Sequence, residues 1–166
     1  MRIFIGADHA GFELKEQLKK YVSESGHEVT DFGAHEFKEG DDYPDYVIPV
    51  AKAVAGDPRS RGIIIGGSGQ GEAICANRFS GVRAVVFNGP TYAKVSVGKQ
   101  YKPDGTEIPD EIKLSREHND ANVLSLGARF LSIEEAKSAV KTWLETPFSN
   151  DERHIRRIKK IDDIAH

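Results

Sequence analysis

Short, strongly apolar runs alternate with longer stretches of mixed polarity along the 166-residue chain. Five of these runs are rich in β-branched and aromatic residues, which is typical of buried strands. They cover residues 2–6, 28–32, 62–65, 82–87 and 122–126. Strands that alternate with helices favour a parallel sheet covered on both faces. The pattern therefore predicts an α/β protein with a three-layer α/β/α, Rossmann-like fold around a five-stranded parallel sheet.

Apolar positions near helical spacing predict the helices. The clearest example follows the first strand, where Phe12, Leu14 and Leu18 begin a helix that ends at Gly26. Further helices are predicted over residues 46–54, 71–78, 133–144 and about 150–164. Ser132 is a favoured N-cap for the fourth of these five helices, and Glu135 stands at the capping-box position.

One polar stretch, residues 94–113, does not fit the alternation of strands and helices. It contains Pro103 and Pro109 and is long for a connection inside a compact domain. We interpret it as a functional flap or local excursion rather than a second domain. The chain is therefore expected to form one domain over residues 1–166, with an inserted segment at about 94–113 and a C-terminal helix at about 150–164.

Composition restricts the classes of partner. The net charge of −3 argues against a nucleic-acid or membrane surface, because neither attracts an acidic protein. Cys75 is the single cysteine, which excludes an internal disulfide framework and fits a reducing compartment. No apolar run reaches the length of a membrane span, and no signal peptide precedes the first strand. A cytoplasmic location is expected.

The third predicted strand runs into four glycines spread over residues 66–71, and Glu72 follows directly. Glycine permits positive φ and leaves backbone amides open to a ligand. Such amides at a helix start stabilise negative charge, whether on a phosphate or on an oxyanion. The segment alone leaves two interpretations open. Glu72 is a base beside an oxyanion site, or it caps a helix behind a nucleotide-phosphate loop.

Three other segments carry candidate chemistry. Asp8 and His9 follow the first strand, Arg116 to Asp120 precede the fifth, and Arg153 and Arg157 share one face of the last helix. Each has a simpler interpretation: His9 as a helix cap, His118 as a capping or surface histidine, and the basic residues as a solvated helix face. No group of histidine, cysteine and carboxylate residues shows metal-ligand spacing, so no bound metal is predicted.

Together these segments closely resemble the B-type ribose-5-phosphate isomerases and the related galactose-6-phosphate and allose-6-phosphate isomerases. Six matches occur in order along the chain: Asp-His-Ala-Gly at 8–11, Asp-Tyr-Pro at 42–44, the glycine loop with Ala-Asn-Arg at 76–78, Arg-Glu-His-Asn-Asp at 116–120, Gly-Ala-Arg at 127–129, and Arg153-His154 with Arg157.

The resemblance implies an aldose–ketose isomerase that moves a proton between C1 and C2 through an enediolate, without a metal or other cofactor. The family has one form with a cysteine base at the end of the third strand, where this chain has Gly66. The other form has a glutamate one turn into the following helix, which matches Glu72. Cys75 is then a small packing residue rather than a nucleophile.

The remaining roles are also implied by the resemblance. Ser68 and the amides of Gly67, Gly69, Gln70 and Gly71 would stabilise the enediolate oxygen. His118 would open the sugar ring, and the hydroxyls would be oriented by Asp8, Tyr43 and Asn119, although Tyr43 is also a candidate packing residue. The phosphate would be held by His9, Arg129, Arg153 and Arg157.

The family also builds its active site across a homodimer, which implies that Arg153 and Arg157 serve the neighbouring subunit. A dimer of dimers is compatible with this expectation. Ribose 5-phosphate and ribulose 5-phosphate are the first expectation for substrates, with a six-carbon aldose phosphate such as allose 6-phosphate or galactose 6-phosphate as the alternative. A non-catalytic, flavodoxin-like module that binds a nucleotide or phosphate is a third possibility. The first strand lacks the Gly-x-Gly-x-x-Gly fingerprint of a dinucleotide site.

Overall fold

The computed structural model describes residues 1–89, 100–101, 107–108 and 110–164. Its strands are β1 (Arg2–Ala7), β2 (Glu28–Asp31), β3 (Arg61–Gly66), β4 (Ala84–Phe87), β5 (Gln100–Tyr101), β6 (Glu107–Ile108) and β7 (Val123–Gly127). Five of them form a parallel sheet in the order β2-β1-β3-β7-β4, while β5 and β6 form a separate antiparallel pair. The predicted five-stranded parallel sheet is confirmed.

The described helices are α1 (Phe12–Glu24), α2 (Pro44–Gly56), α3 (Gln70–Ala76), α4 (Glu111–Asn119), α5 (Ile133–Glu145) and α6 (Glu152–Asp162), with one 3₁₀ turn at His9–Gly11. Helices α1, α4 and α5 contribute to a buried cluster on one face of the sheet, and α2 and α3 contribute to a cluster on the other. The predicted three-layer α/β/α architecture is therefore confirmed. Among the described residues, no helix is both long and apolar enough to cross a bilayer.

The central strand β3 shows why the sheet is buried on both sides. Side chains alternate across a strand, so Ile63 and Ile65 pack into the cluster with α1 and α5, whereas Ile64 packs into the cluster with α2. All three side chains have no exposed surface. A strand covered on both faces carries a continuous apolar run instead of alternating polarity. The Ile-Ile-Ile run at residues 63–65 is a continuous apolar run of this kind.

Helix α4 is an element that the sequence analysis did not predict. Its N-cap is Asp110, whose carboxylate accepts hydrogen bonds from the backbone amides of Ile112 and Lys113 at 2.9 and 3.2 Å. Residues 111–113 were expected to lie in the polar segment but form the first turn of this helix. The signal was an aspartate at a favoured cap position before Ile112, Ser115 and Arg116, which become buried. The rest of segment 94–113 lies outside the described residues, except for β5, β6 and Asp110.

Other helix boundaries differ from expectation by a few residues. Helix α2 begins at Pro44 instead of residue 46, because proline suits the first helical turn. Helix α3 ends at Ala76, two residues before the expected end. The capping box of α5 is confirmed: the Glu135 amide donates to Ser132 Oγ at 3.3 Å, and Glu135 Oε2 accepts from the Ser132 amide at 2.8 Å.

Parallel pairing gives the sheet two chemically different edges. Ala7 pairs with Ile65, and Gly66 with Gly127, so β1, β3 and β7 end together at the carboxyl edge. The amino edge lies at the opposite ends of the same strands. Because β3 has six residues, the two edges are roughly 15–20 Å apart at about 3.3 Å per residue.

Candidate active site

The glycine loop lies between β3 and α3 at the carboxyl edge of the sheet. Gly69 has a φ of +73°, a conformation that side-chain-bearing residues rarely adopt, and it caps the start of α3. Its carbonyl accepts a hydrogen bond from the Ser125 hydroxyl at 2.6 Å, which ties the loop to β7. Two further bonds come from the residues after β7, with the Ala128 amide donating to Gly66 O at 2.8 Å and the Arg129 amide to Gly67 O at 3.2 Å.

The carboxyl group of Glu72 occupies the space above Gly66. A Cβ atom at position 66 would lie 1.6 Å from Glu72 Oε1, so a side chain there and this carboxyl position exclude each other. Glu72 is only 4% exposed. Burial raises its pKa, the nearby Asp8 charge raises it further, and Arg129 opposes the shift. A buried carboxylate with a raised pKa is well suited to accept a proton.

Tyr43 and Arg129 lie against the same loop. A Cβ added to Gly71 would meet the Tyr43 ring and hydroxyl at 2.9 Å, and one added to Gly67 would meet the Arg129 guanidinium at 3.0 Å. The glycines therefore allow these two polar side chains to approach the backbone closely. Ser68 also belongs to the loop, where its hydroxyl accepts from the Gln70 amide at 3.3 Å. Glu72, Ser68, Tyr43 and Arg129 thus share one site.

Asp8 and His9 lie beside this site, after β1. Asp8 is 6% exposed, and its Oδ1 caps the 3₁₀ turn by accepting from the amides of Ala10 and Gly11 at 3.0 and 3.2 Å. His9 Nδ1 lies 2.7 Å from Asp41 Oδ1, which also accepts from the His9 amide at 2.9 Å. The sequence analysis missed Asp41, because no local motif marks a partner 32 residues away.

Donor atoms of Asp8, His9 and Asp41 lie within 4.8 Å of one another. Three such donors could suit a cation, but Asp8 Oδ1, Asp41 Oδ1 and His9 Nδ1 are already engaged in hydrogen bonds, since Asp8 caps the turn and Asp41 binds His9. The arrangement is accounted for without an ion. The prediction that the protein binds no metal stays a prediction.

Four of the predicted site residues lie elsewhere in the protomer. His118 and Asn119 end α4, and the Asn119 carbonyl accepts from Arg83 Nε at 3.0 Å, immediately before β4. This position is at the amino edge of the sheet. The ring of His118 stacks on that of His154 in α6, with centroids 4.3 Å apart, so α6 lies at the same edge with exposed Arg153 and Arg157. One protomer does not bring these four residues to Glu72.

Arg116 and Cys75, to which the sequence analysis assigned no catalytic role, make contacts that support the fold. Arg116 is 4% exposed, donating through Nε to Thr146 O at 3.3 Å and through Nη1 to Ala121 O at 2.6 Å and to Asp120 Oδ1 at 2.8 Å. Cys75 packs against the cluster that contains α2 and α3, and burial raises the pKa of its thiol. A thiol with a raised pKa is a poor nucleophile at neutral pH.

Comparison with known families identifies the family to which the chain belongs. A family described as Ribose/Galactose Isomerase matches residues 3–101 and 107–161. The chain belongs to this family. Within the predicted insertion at 94–113, the match omits residues 102–106, so the family pattern extends into much of that segment.

Individual relatives are similar over nearly the whole chain. Ribose-5-phosphate isomerase B of Escherichia coli is 39% identical over 163 residues, covering 98% of this chain and 95% of the relative. The enzyme of the same name from Mycolicibacterium paratuberculosis is 38% identical, covering 95% and 87%.

Solved structures give the same result for the fold. Ribose-5-phosphate isomerase B of Clostridium thermocellum has a TM-score of 0.82 at 38% identity, covering 99% of this chain and 97% of that chain. The Mycoplasma genitalium enzyme, solved with bound ribulose 5-phosphate, has a TM-score of 0.83 at 32% identity, covering 98% and 95%.

Proposed function

We propose that this chain is an aldose–ketose isomerase that interconverts ribose 5-phosphate and ribulose 5-phosphate through an enediolate, without a metal. The observation that carries the proposal is the Glu72 carboxyl group, buried over Gly66 beside a loop of backbone amides. The relatives named ribose-5-phosphate isomerase B support the substrate. The family description also names galactose, which keeps a six-carbon aldose phosphate as the alternative.

Glu72 performs the proton transfer in this proposal. Its carboxylate removes the proton from C2 of the open-chain aldose, and the C–H electron pair forms the C1–C2 double bond of the enediolate. The carbonyl oxygen on C1 takes the negative charge, and the Ser68 hydroxyl with the amides of the glycine loop stabilises it. Glu72 then returns the proton to C1. The hydroxyl proton on O2 moves to O1, so the carbonyl ends at C2 and the atoms balance.

In this proposal, His9 and Arg129 bind the phosphate from within the same protomer. Both lie at the carboxyl edge, next to an otherwise acidic site that contains Asp8 and Glu72, and the hydrogen bond to Asp41 raises the pKa of His9. A guanidinium can offer two parallel hydrogen bonds to phosphate oxygens. Tyr43 and Asp8 then lie where they can orient sugar hydroxyls between the phosphate and Glu72.

A second copy of the chain completes the site in this proposal. Ring opening and full phosphate binding call for His118, Asn119, Arg153 and Arg157, but these residues lie at the amino edge, roughly 15–20 Å away. A homodimer that places the amino edge of one protomer against the carboxyl edge of its partner would unite the two sets. Two such composite sites form per dimer, and a dimer of dimers would repeat the arrangement.

The single cysteine leads us to propose a reducing compartment such as the cytoplasm.

A coupled isomerisation assay across five- and six-carbon aldose phosphates, with a metal chelator present, tests the function. Ribose 5-phosphate should give the highest kcat/KM, and Glu72→Gln should lower kcat by about 10²–10⁴-fold because the general base is lost. Glu145→Gln, a change of the same kind at the exposed end of α5, is the control and should keep full turnover.

The possible outcomes separate the alternatives. Preference for a six-carbon substrate would keep the mechanism and change the substrate. Full turnover by Glu72→Gln would remove Glu72 from the base role. Absence of turnover with every sugar phosphate, together with tight nucleotide binding, would favour the non-catalytic module.

A further inference from the structure

Asp41 is a buried carboxylate whose closest contacts are with His9. Its side chain is 6% exposed, and its Oδ1 accepts both from the His9 backbone amide at 2.9 Å and from His9 Nδ1 at 2.7 Å. The other oxygen, Oδ2, is buried and has no hydrogen-bond partner among the described residues. A buried charge is costly unless it is paired. The backbone amide and the imidazole ring of His9 are therefore the main compensation for this carboxylate.

The pair fixes the chemistry of the His9 ring. An ionised carboxylate only accepts hydrogen bonds, so Nδ1 carries the hydrogen in this contact. The opposite nitrogen, Nε2, makes no hydrogen bond to the described part of the protein, and the side chain is 27% exposed. Two bonds to one oxygen hold both the backbone and the ring, which fixes the orientation of Nε2 relative to β1 and Asp41.

Charged groups from several elements surround this ring. The hydrogen bond that His9 donates to Asp41 is the largest influence and raises the pKa of His9. Burial and Arg129 oppose the shift, and Asp8 adds to it. Burial pushes the pKa of Asp41 up, but the bonds from His9 and Tyr46 together outweigh it, so the pKa of Asp41 falls. Tyr46, on α2, faces the same carboxylate, which raises the pKa of the tyrosine.

We infer that Asp41 is a positioning residue that keeps His9 in its cationic form, with Nε2–H aimed at the phosphate of the substrate. The inference rests on the proposed function, in which His9 contacts the phosphate. Asp41 itself does not touch the substrate. Its negative charge favours the protonated form of His9, which adds a second positive charge beside Arg129 at the carboxyl edge.

The sign of the pH dependence follows from the raised pKa. His9 is protonated below its pKa and loses its charge as the pH rises through that value. With Asp41 present, the loss occurs at higher pH than for a free histidine. The phosphate gains its second charge near pH 6. Asp41 thus widens the pH range in which the phosphate is a dianion while His9 is still a cation.

Asp41→Asn tests the inference, because asparagine retains an acceptor for the ring and the amide but removes the charge. The KM ratio of variant to wild type should be near one at pH 5.5. It should rise with pH, towards about tenfold for each pKa unit that His9 loses. The change in kcat should be smaller than the change in KM. Asp45→Asn, an exposed aspartate in the first turn of α2, is the control and should show no pH-dependent change.

A titration of His9 by NMR separates this inference from the proposed function. In the wild type, His9 should titrate above a free histidine, and Asp41→Asn should lower that value. Inorganic phosphate should bind the wild type more tightly than the variant at pH 8. These readouts need no turnover, so they hold even if the isomerase proposal fails.

Two results would overturn the inference. The first is a wild-type His9 that titrates at or below the free value. The second is a KM ratio that is raised equally at every pH, which is the effect of a merely misplaced loop. If Asp41→Asn does not fold, the wild-type titration still decides the question.

Discussion

At the scale of single residues, the absence of a side chain at Gly66 is as important as the presence of Glu72. The Glu72 carboxyl group fills the volume in which a Cβ at position 66 would lie. The atom that a Cβ would displace is the end of a flexible side chain, so the fold can tolerate the change while the carboxyl group cannot keep its place. Stability and activity should therefore respond differently at this position.

Gly66→Ala should lower kcat by about 10²-fold or more, since a displacement of about 1 Å in a reacting group has effects of that size. Its melting temperature should stay close to that of the wild type. Gly56→Ala is the matched control, because a Cβ there meets nothing within 4 Å and its φ is not positive. Normal turnover by Gly66→Ala would contradict the placement of Glu72.

Individual residues differ in how far the sequence predicted them. The spacing of the glycines in the sequence predicted that Glu72 lies beside the loop, because a tight turn followed directly by a helix start leaves the backbone little conformational freedom. Asp41 could not be predicted. Its partner His9 lies after β1, and only the fold brings the loop before α2 to that position.

At the scale of elements, helix ends at the amino edge are bound by arginines. Helix C-termini carry partial negative charge and unpaired carbonyls. Arg61 Nη1 donates to the carbonyls of Trp143 and Leu144 at 2.7 and 3.0 Å at the end of α5, and Arg83 and Arg116 bind carbonyls near the end of α4. Burial, with Arg116 adding, lowers the pKa of Arg61 to about 10, so it remains charged at neutral pH. Arg83 and Arg116 therefore hold the end of α4, which carries His118, in position.

The contribution of the Asp110 N-cap of α4 to stability can be tested separately. Asp110→Ala removes the side chain that accepts from two amides, and the free energy of unfolding should fall by about 1 kcal/mol. Asp110→Asn should retain most of the stability, because asparagine caps as well as aspartate. Urea unfolding of both variants measures the difference. Equal stability of wild type and Asp110→Ala would mean that the cap contributes nothing.

Elements with a strong apolar period were predicted, and α4 was not. The strands of the sheet and α5 carry continuous runs or a capping box, which are local signals. Helix α4 is short and polar, and most of its stability comes from packing Ile112 and from the bonds of Arg116 to other segments. Such tertiary contributions are not visible in a local window.

At the scale of the whole molecule, the two sets of predicted site residues occupy opposite edges of one sheet. Glu72, Asp8, His9 and Arg129 follow the carboxyl ends of strands, while His118 and its neighbours end a helix that runs back to the amino ends. The sequence analysis placed His118 shortly before the fifth predicted strand but did not predict α4. The separation follows from the direction of α4, which runs back to the amino ends, and from the packing of α6 against it through the His118 and His154 rings. The proposed homodimer, with composite sites, would bring both sets together.

A mixed dimer tests this arrangement most directly. Glu72→Gln and His118→Ala homodimers should each be impaired with ring-closed ribose 5-phosphate, while a dimer with one subunit of each kind has both defects in one site and none in the other. Such mixed dimers should recover up to about half of the wild-type kcat, because one of their two sites is intact. Mixed dimers as inactive as the two parents would contradict this arrangement, because each site would then belong to a single subunit.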